Sequence, residues 1–391
     1  MFLQNFIIWS PDPAIVTLPF SLIGLSDRPI VWYGLLFALG FIISQQVMYL
    51  LYKKDGRPER DVDTLTTFMV IATIVGARLG HVLFYNPSYY FSDPILILKI
   101  WEGGLASHGG AIGILLAIWL YSNYEIRSKW FLVLPVKLSI KKVKRVGQDF
   151  LWVADRLVIV TALTGALIRT GNFMNSEMEG KETGSSYGVV YARGTKEVLA
   201  YDENKIESVV FTKGGKMESA IDGQVPVTAI INFAKGFTVD EKEKRFIETG
   251  IKRTLKTYPE AAQHINFGDY NDPLRYDVLT SDTGDKIAIY GVATVRHPAQ
   301  LYEAVYCILI MLVLIWVWKN KRQKVPVGFS FGLFMMLLWS LRFVDEFFKM
   351  NQEAFEDSLP LNMGQWLSIP MFLIGLVVMV RGFRNDKKEI K

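Results

Sequence analysis

Seven apolar stretches, each close to 18 residues or longer, constrain the fold of this chain more than any other feature. Stretches of this length predict transmembrane helices rather than the core of a soluble protein. Hydrophobic residues make up 51% of the 391-residue sequence and charged residues only 21%, which excludes a disordered or fibrous chain. The predicted spans lie at about 30–52, 64–86, 105–123, 150–170, 299–318, 327–348 and 366–382.

The loops between these stretches differ in their content of lysine and arginine. Four basic residues lie in 53–60, seven in 127–145, four in 319–324 and five in the tail 381–391, whereas the alternate short loops have almost none. Because basic loops stay in the cytoplasm, this pattern predicts an N-terminus outside, a cytoplasmic C-terminus and an odd number of spans. The net charge of +5 is thus a topology signal beside anionic lipid, and no nucleic-acid partner is predicted.

A long polar stretch, residues 181–295, separates the fourth and fifth predicted spans. It holds 15 Lys/Arg and 17 Asp/Glu, so it is nearly neutral, unlike the basic loops. Its apolar pattern predicts strands at Ser208–Thr212 and Val225–Phe233 and an amphipathic helix at Val239–Tyr258. We therefore predict an all-α polytopic membrane protein of about seven transmembrane helices, with a small α+β extracytoplasmic head inserted between spans four and five. The predicted domains are 1–180 (spans one to four), 181–295 (the head) and 296–391 (spans five to seven and the cytoplasmic tail).

Five arginines lie in or at the ends of the apolar spans. They are Arg78, Arg156, Arg169, Arg296 and Arg342. Burying one arginine in a bilayer costs about 3 kcal/mol on insertion scales. One interpretation is structural, because the nearby acidic residues Asp155, Glu177 and Glu346 can form ion pairs with them. The other is a site for an anion such as a phospholipid head group, since a guanidinium stays charged and grips phosphate with a planar fork. Arginines alone do not separate a lipid-modifying enzyme from a transporter.

His108 lies at the mouth of the third predicted span, within a segment that contains four glycines, Trp101–Gly110. The glycines allow close approach of a ligand and leave the imidazole uncrowded, although a lone histidine is commonly structural. The single cysteine, Cys307, excludes an internal disulfide, and the four scattered histidines lack the spacing of a metal site. The sequence therefore predicts neither a metal nor an organic cofactor.

The segment Gly165–Gly180 is the most informative one. It brings Arg169, Asn172, Asn175 and Glu177 to the end of an apolar helix, where amides and a carboxylate beside an arginine can hydrogen-bond a glycerol phosphate. The segment that opens the fifth span, Arg296–Glu303, likewise takes polar residues into the membrane.

Taken in order, these motifs resemble the prolipoprotein diacylglyceryl transferase family of bacterial inner-membrane enzymes. The resemblance extends from about Trp32 to Met371. The matching motifs are Trp32-Tyr-Gly34, Gly76-Ala-Arg-Leu-Gly80, Ser107-His-Gly-Gly110, the signature from Arg169 to Gly180, His297-Pro-Ala-Gln-Leu-Tyr-Glu303, Arg342-Phe-Val-Asp-Glu-Phe-Phe348 and Gln365-Trp-Leu-Ser-Ile-Pro-Met371.

The resemblance implies transfer of the diacylglyceryl group of phosphatidylglycerol to the lipobox cysteine of a preprolipoprotein, with formation of a thioether and release of glycerol phosphate. It implies that Arg169 and Arg342 hold the lipid phosphate and that His108 is the candidate base, with these three as the catalytic residues. It further implies a lipid-binding set and a supporting set. The first is Arg169, Asn172, Glu177, Gly180, Tyr33 and Glu346, and the second is Asp155, Arg78 and Glu303.

The chain departs from the family pattern at two positions. Leu338 replaces a tyrosine that many members have four residues before the last arginine, and Glu179 replaces an aromatic residue before the final glycine of the signature. The head and the basic loop 123–149 are also longer than usual, and the head is either a guide for the preprolipoprotein or an inert insertion. Two rival hypotheses are a lipid transporter, which predicts broken spans in two symmetric halves, and an inactive structural relative.

Overall fold

A computed structural model describes residues 5–19, 27–131, 134–143, 145–200, 205–219, 221–280, 284–321, 324–351, 356 and 358–389. Its helices are α1 (Trp32–Lys54), α2 (Arg60–Phe84), α3 (Pro87–Ser92), α4 (Ile95–Leu98), α5 (Ser107–Asn123), α6 (Phe150–Met174), α7 (Arg193–Ala200), α8 (Glu241–Phe246), α9 (Lys252–Thr257), α10 (Pro259–Ala262), α11 (Ala299–Lys321), α12 (Phe329–Asp345) and α13 (Met363–Glu389). Its strands are β1 (Phe6–Trp9), β2 (Ala14–Leu18), β3 (Arg28–Val31), β4 (Tyr124–Phe131), β5 (Leu134–Lys142), β6 (Gly188–Tyr191), β7 (Ile206–Lys213), β8 (Gln224–Phe233), β9 (Ile265–Asn266), β10 (Tyr276–Leu279) and β11 (Lys286–Thr294).

Five helices in the described residues are long and apolar enough to cross a membrane: α1, α2, α6, α11 and α13. Each coincides with a predicted span, which confirms a polytopic membrane protein. The other two predicted spans coincide with α5 and α12, which are apolar helices of 17 residues each. The all-α description is too simple, because the described residues also form a five-stranded sheet and three two-stranded ones.

The chain divides into two compact units. The first unit comprises Met1–Phe37, Leu167–Val305 and Arg342–Trp366. Its main sheet has the order β10-β11-β8-β7, with antiparallel pairing and with β9 also paired to β11. The strands predicted at Ser208–Thr212 and Val225–Phe233 are observed as β7 and β8. The predicted amphipathic helix is observed as α8 and α9, joined by a π-helical turn at Ile247–Ile251.

The core of the first unit lies between this sheet and the helices α7 to α9. Alternate residues of β8 are fully buried, among them Val227, Ala229 and Ile231, and they pack with Ile247 and Leu255. Burying every second side chain of a strand against helices is the usual way for a sheet to form one face of a core. The N-terminal strand β1 runs parallel to β6, so two segments that are far apart in the sequence belong to the same unit.

The second unit comprises Ala38–Ala166, Tyr306–Leu341 and Leu367–Lys391. Its helices α2 and α5 pack at backbone contact, because Gly76 and Gly80 of α2 face Gly109 and Gly113 of α5. A Cβ atom on Gly109 would lie 2.3 Å from the Gly76 carbonyl oxygen. Small residues four apart on each helix are a common packing device in membranes. The basic loop after α5 forms the antiparallel hairpin of β4 and β5, which the sequence patterns did not predict.

Candidate functional site

A chain of ion pairs in the first unit joins the two arginines that the sequence assigned to a phosphate. Arg169, near the end of α6, pairs through Nε with Glu303 of α11. Lys349 Nζ lies 3.1 Å from Glu303 Oε1 and 3.7 Å from Glu346 Oε1. Arg342 Nη2 lies 3.3 Å from the same Glu346 oxygen. Three cations and two carboxylates therefore alternate along one continuous network.

The exposure of these side chains shows how the network is oriented. Glu303 and Lys349 are each 3% exposed and Glu346 is 9% exposed, whereas Arg169 and Arg342 at the two ends are 18% and 28% exposed. Each carboxylate is thus more deeply buried than the arginine that it pairs with, and part of each arginine side chain is exposed. Because an accessible guanidinium offers forked donors, this arrangement suits a tetrahedral anion.

The helix end that carries Arg169 adds neutral and acidic hydrogen-bonding groups. Arg169 Nη1 donates to Asn172 Oδ1 at 3.3 Å, and Asn172 Nδ2 donates to Glu177 Oε2 at 3.1 Å. The other Glu177 oxygen accepts from Asn175 Nδ2 at 3.1 Å. Gln300 Nε2 of α11 donates to the Glu177 backbone oxygen at 2.6 Å. Both oxygens and the main chain of Glu177 are therefore fixed, so the sequence correctly grouped Arg169, Asn172 and Glu177.

The loop after α6, residues 175–180, has an unusual backbone that we call the signature loop. Ser176 and Met178 adopt positive φ values of 49° and 58°, which are unfavourable for residues with a Cβ atom. Gly180 ends the loop in a space where a Cβ would lie 2.3 Å from the His297 carbonyl oxygen and 2.8 Å from that of Phe348. Gly180 is therefore required for packing. The network of ion pairs and hydrogen bonds is formed by residues that precede and follow Gly180 in the sequence.

Two more residues that the sequence pointed to lie in this unit. Tyr33 opens α1 against the end of α6, where a Cβ on Gly171 would lie 2.9 Å from the Tyr33 Cα. Glu346 accepts a hydrogen bond from Asn362 Nδ2 at 3.1 Å, and its carboxylate fills the space that the missing side chain of Gly364 leaves.

Sequence reasoning missed Lys349 as a member of the network. A signal existed, because Lys349 lies seven residues after Arg342 and three after Glu346, a spacing that favours one helical face. The sequence patterns indicate only that it follows the sixth predicted span, 327–348. Asn362 carried no such signal, because its contact with Glu346 depends on the fold of the segment between them.

The ion pairs differ partly from those that sequence neighbours suggested. The pair Arg342–Glu346 is confirmed. Arg169 pairs with Glu303 rather than with Glu177, which it reaches only through Asn172. In the second unit, Arg156 pairs with Asp55, with Nη2 2.8 Å from Oδ2, rather than with its neighbour Asp155. The expected pair did not form where a carboxylate from a distant part of the sequence lay closer to the arginine in the fold.

Arg78, in the second unit, is occupied by backbone carbonyl groups. Its guanidinium donates to the carbonyl oxygens of Leu96, Ile97, Lys99, Gly103 and Gly104 at 2.6–3.2 Å. With all three nitrogens engaged, Arg78 fixes the segment between α3 and α5.

Asp155 and His108 also belong to the second unit. Asp155 of α6 accepts from the backbone N–H groups of Gly328 and Phe331 at 2.7 and 2.8 Å, so its carboxylate caps the N-terminus of α12. His108 is an exposed residue in the first turn of α5, with its ring 5.2 Å from that of Phe84 and 6.0 Å from that of Tyr85. The neighbouring Gly109 packs against α2, so helix packing explains why this position is a glycine.

Outside the spans, Glu179 and His264 of the first unit have strongly shifted pKa values. Burial raises the pKa of Glu179 to about 7, although the Arg296 guanidinium partly opposes this shift. Burial, together with the positive charge of Arg296, lowers the pKa of His264 to about 4. The sequence drew attention to Glu179 only as a departure from the family pattern, and it gave no signal for His264.

Comparison with known proteins points to one family. The model of the family described as prolipoprotein diacylglyceryl transferase matches residues 21–381. A phosphatidylglycerol–prolipoprotein diacylglyceryl transferase of Tolumonas auensis is 34% identical over 96% of each chain. Proteins of the same name are 31% identical in Porphyromonas gingivalis, over 98% of each chain, and 27% identical in Chloroherpeton thalassium, over 99% of this chain and 98% of the relative.

Proposed function

This chain belongs to the prolipoprotein diacylglyceryl transferase family, and we propose that the network ending in Arg169 and Arg342 holds the phospholipid head group for its reaction. The enzyme transfers the diacylglyceryl group of phosphatidylglycerol to the lipobox cysteine of a preprolipoprotein. This is the first step of lipoprotein maturation, and it leaves the protein attached to lipid through a thioether.

One observation carries the assignment of the site: Arg169 and Arg342, 173 positions apart in sequence, end the same chain of ion pairs. If each arginine were paired with a separate carboxylate, the ion pairs would indicate only a role in stabilising helices. Two arginines held by buried carboxylates and still partly exposed are preorganised to bind one phosphate. Asn172 and Glu177 are suited to bind the hydroxyl groups of the glycerol head, since they offer both a donor and acceptors.

The chemistry of the transfer matches this charge arrangement. The thiolate sulfur attacks the carbon of the diacylglyceryl group that bears the phosphate, and a carbon–sulfur bond forms. The bond between this carbon and the phosphate oxygen breaks, and its electron pair stays on the oxygen of the leaving glycerol phosphate. The phosphate diester thereby becomes a monoester and gains negative charge. Preorganised cations at the leaving phosphate stabilise this developing charge, and a single lost donor in such a site typically costs about 100-fold or more in rate.

The proton of the cysteine thiol needs an acceptor, because a free thiol has a pKa near 8.5 and is mostly protonated at neutral pH. We assign this role to His108, on the match of its motif to the family and on its exposed position at the start of α5. The assignment predicts that His108→Gln lowers turnover far more than it lowers phosphatidylglycerol binding. Equal losses in both would instead indicate that His108 shapes the site.

The proposal places the protein in the bacterial inner membrane with seven spans. The helices α5 and α12 complete the set, because 17 residues rise about 26 Å, close to the roughly 30 Å of the hydrocarbon core. With the basic loops in the cytoplasm, the N-terminus and the head of residues 181–295 lie outside and the C-terminus lies inside. Both substrates then meet the enzyme from the bilayer and its outer surface.

The direct test is to incubate the purified protein in detergent with phosphatidylglycerol and a lipobox peptide, and to measure the peptide mass. We expect a diacylglyceryl adduct on the cysteine and release of glycerol phosphate. A peptide with serine in place of cysteine is the control and should stay unmodified. Folded protein that binds phosphatidylglycerol but forms no adduct would contradict the proposal and favour a transporter or an inactive relative.

A further inference from the structure

A buried cluster of charged and polar side chains lies in the first unit beside the signature loop. Glu179 of the loop faces His264, which follows α10 in the head, with Oε2 3.5 Å from His264 Nδ1. The same oxygen lies 3.9 Å from Nε of Arg296, at the junction between β11 and α11. The three side chains are 12%, 8% and 8% exposed. Charged groups this deeply buried need partners to be tolerated, so their placement is specific.

The remaining contacts fix His264 and Arg296 independently of Glu179. Gln263 Nε2 lies 2.8 Å from His264 Nε2, so this ring nitrogen accepts the amide hydrogen and Nδ1 carries the ring proton. Nδ1 is buried on the side of Glu179 and makes no hydrogen bond within the described residues. Arg296 Nη1 donates to Met350 Sδ at 3.0 Å, and the Arg296 main chain exchanges two hydrogen bonds with Val189 of β6. Contacts with residues other than Glu179 therefore hold both His264 and Arg296 in place.

The signature loop needs such external support. Its two residues with positive φ, Ser176 and Met178, persist only where surrounding contacts over-determine the backbone. Met178 Sδ accepts from Arg169 on one side of the loop, at 3.1 Å. Glu179, the next residue, reaches the cluster on the other side. The backbone oxygen of Glu179 also accepts from Met350 N at 3.3 Å, so the same position is held by main chain and side chain.

We infer that His264 and Glu179 are positioning residues for the lipid site: the head supplies His264, which with Arg296 anchors Glu179 and thereby holds Glu177 against Asn172 and Arg169. This inference rests on the proposed function of the arginine network. It gives residues 181–295 a part in the reaction that an inert insertion would not have. It also explains why a carboxylate replaces the aromatic residue of the family pattern at this position.

The titratable and charged groups around Glu179 come from every element that packs on the cluster. They are His264 after α10, Arg296 at the start of α11, Tyr191 of β6 and Glu182 after the loop, whose Oε1 lies 4.0 Å from Arg296 Nη2. Arg296 is the only cation of this set at neutral pH, because burial keeps His264 uncharged. Replacing His264 therefore removes a buried polar neighbour of Glu179, 3.5 Å away, rather than a charged partner.

The test compares His264→Leu with His264→Asn in the peptide assay, with phosphatidylglycerol as the varied substrate. We expect His264→Leu to raise KM for phosphatidylglycerol about tenfold and to change kcat little, because the loop binds the head group in the ground state and the transition state alike. Asparagine keeps an N–H group where Nδ1 lies, so His264→Asn should restore KM to within about twofold of wild type. Glu241→Leu, an exposed glutamate of α8, is the control and should match wild type.

Glu179→Leu and the double variant with His264→Leu complete the experiment, and Glu179→Leu alone replaces it if His264→Leu does not fold. Because both residues act through one contact, the double variant should raise KM no more than Glu179→Leu does. Additive effects, an unchanged KM, or reduced folding with normal KM in the folded fraction would each overturn the inference. If wild-type protein binds phosphatidylglycerol without transferring it, the proposed function fails, and the affinity of the same variants for phosphatidylglycerol vesicles then tests the inference separately.

Discussion

At the scale of single residues, the two buried carboxylates between the cations explain how a membrane protein can bury several charged side chains in one place. Glu303 is shared by Arg169 and Lys349, and Glu346 is shared by Lys349 and Arg342. Each carboxylate thus offsets the desolvation of two cations, and each cation fixes the orientation of a carboxylate. The arginines are held rigidly by this sharing, which is the property a site needs if it is to stabilise developing charge.

The fork of Arg169 should be essential even though its charge is not unique. Arg169 uses Nε for Glu303 and Nη1 for Asn172 and Met178, and a lysine ammonium cannot span these positions. We expect Arg169→Lys to lower kcat/KM for diacylglyceryl transfer about 100-fold, as for loss of one donor in a preorganised site. Arg245→Lys, at an exposed position of α8, is the matched control. Nearly normal transfer by Arg169→Lys would exclude phosphate binding through the guanidinium fork.

Lys349 should be required for stability because two buried carboxylates depend on it. Lys349→Met removes the cation between Glu303 and Glu346 and should lower the free energy of unfolding by about 3 kcal/mol, as for other broken buried ion pairs. Lys349→Arg keeps the charge and should retain most of the stability. The measurement is unfolding in mixed micelles at constant pH. If Lys349→Met proved as stable as wild type, the carboxylates would not need the cation.

Glu179 should make the stability of the protein depend on pH near neutrality. Its pKa in the folded state, about 7, lies above the usual 4.5, so the fold favours the protonated carboxyl. The stability it contributes is complete below about pH 4.5 and is lost as the pH rises through 7. Glu179→Gln should therefore gain stability over wild type between pH 5 and 8, measured as the difference in Tm at each pH. A difference that shrinks over this range would contradict the raised pKa.

Among the site residues, the sequence could predict contacts that follow from local geometry and no others. Arg342 and Glu346 pair because residues four apart share a helix face. The pair Arg169–Glu303 joins residues 134 positions apart, and no local pattern specifies it. Glu179 stood out only because it departs from a family pattern, and its partner His264 follows from the fold of the head.

At the scale of the elements, the glycines of two family motifs are explained by helix packing. Gly76 and Gly80 of α2 meet Gly109 and Gly113 of α5 so closely that each Cβ would lie 2.2–2.7 Å from a backbone atom of the other helix. The sequence interpretation had the four glycines of Trp101–Gly110, which include Gly109, allow close approach of a ligand and leave the imidazole of His108 uncrowded. Close packing of the helices accounts for Gly109 without a ligand, and it positions the start of α5 against α2.

Two neighbouring glycines of α5 allow a sharp comparison. A Cβ on Gly109 would lie 2.3 Å from the Gly76 carbonyl oxygen, whereas one on Gly110 would have its nearest neighbour at 3.6 Å, an ordinary van der Waals contact. Gly109→Ala should therefore lower the stability by about 2 kcal/mol or more, as for overpacked interiors, while Gly110→Ala should be tolerated. Thermal unfolding in detergent measures both. Because both residues are close to His108, equal losses would show that packing against α2 is not the cause.

The elements that the sequence predicted well are those that local hydropathy specifies. Each of the five long apolar helices coincides with a predicted span because a 20-residue apolar run has few other stable conformations. The hairpin of β4 and β5 was missed because its strands are rich in basic residues, which made the loop look like a topology signal alone. The parallel pairing of β1 with β6 joins residues about 180 positions apart, which periodicity cannot reveal.

At the scale of the whole molecule, the distribution of charge and the number of spans constrain each other. Twenty basic residues occupy 53–60, 127–145, 319–324 and 381–391, whereas the intervening short loops are poor in them and the stretch 181–295 is nearly neutral. If all four regions face the cytoplasm, the spans between them must alternate in direction, and α5 and α12 must cross the membrane although each has only 17 residues. Removing either helix from the set would put basic and nearly neutral segments on the same side.

Labelling of single cysteines can test this topology, because Cys307 is buried in α11 and should not react. We expect Lys242→Cys, on exposed α8 of the head, to react with a membrane-impermeant maleimide in intact spheroplasts. Glu59→Cys, before α2, and Asn385→Cys, near the end of α13, should react only after permeabilisation, since both lie beside basic segments that the proposed topology puts in the cytoplasm. Labelling of Asn385→Cys together with Lys242→Cys in intact spheroplasts would place the tail outside. An even number of membrane crossings would then separate residues 242 and 385, and α12, which has only 17 residues, would have to be reassigned to the membrane surface.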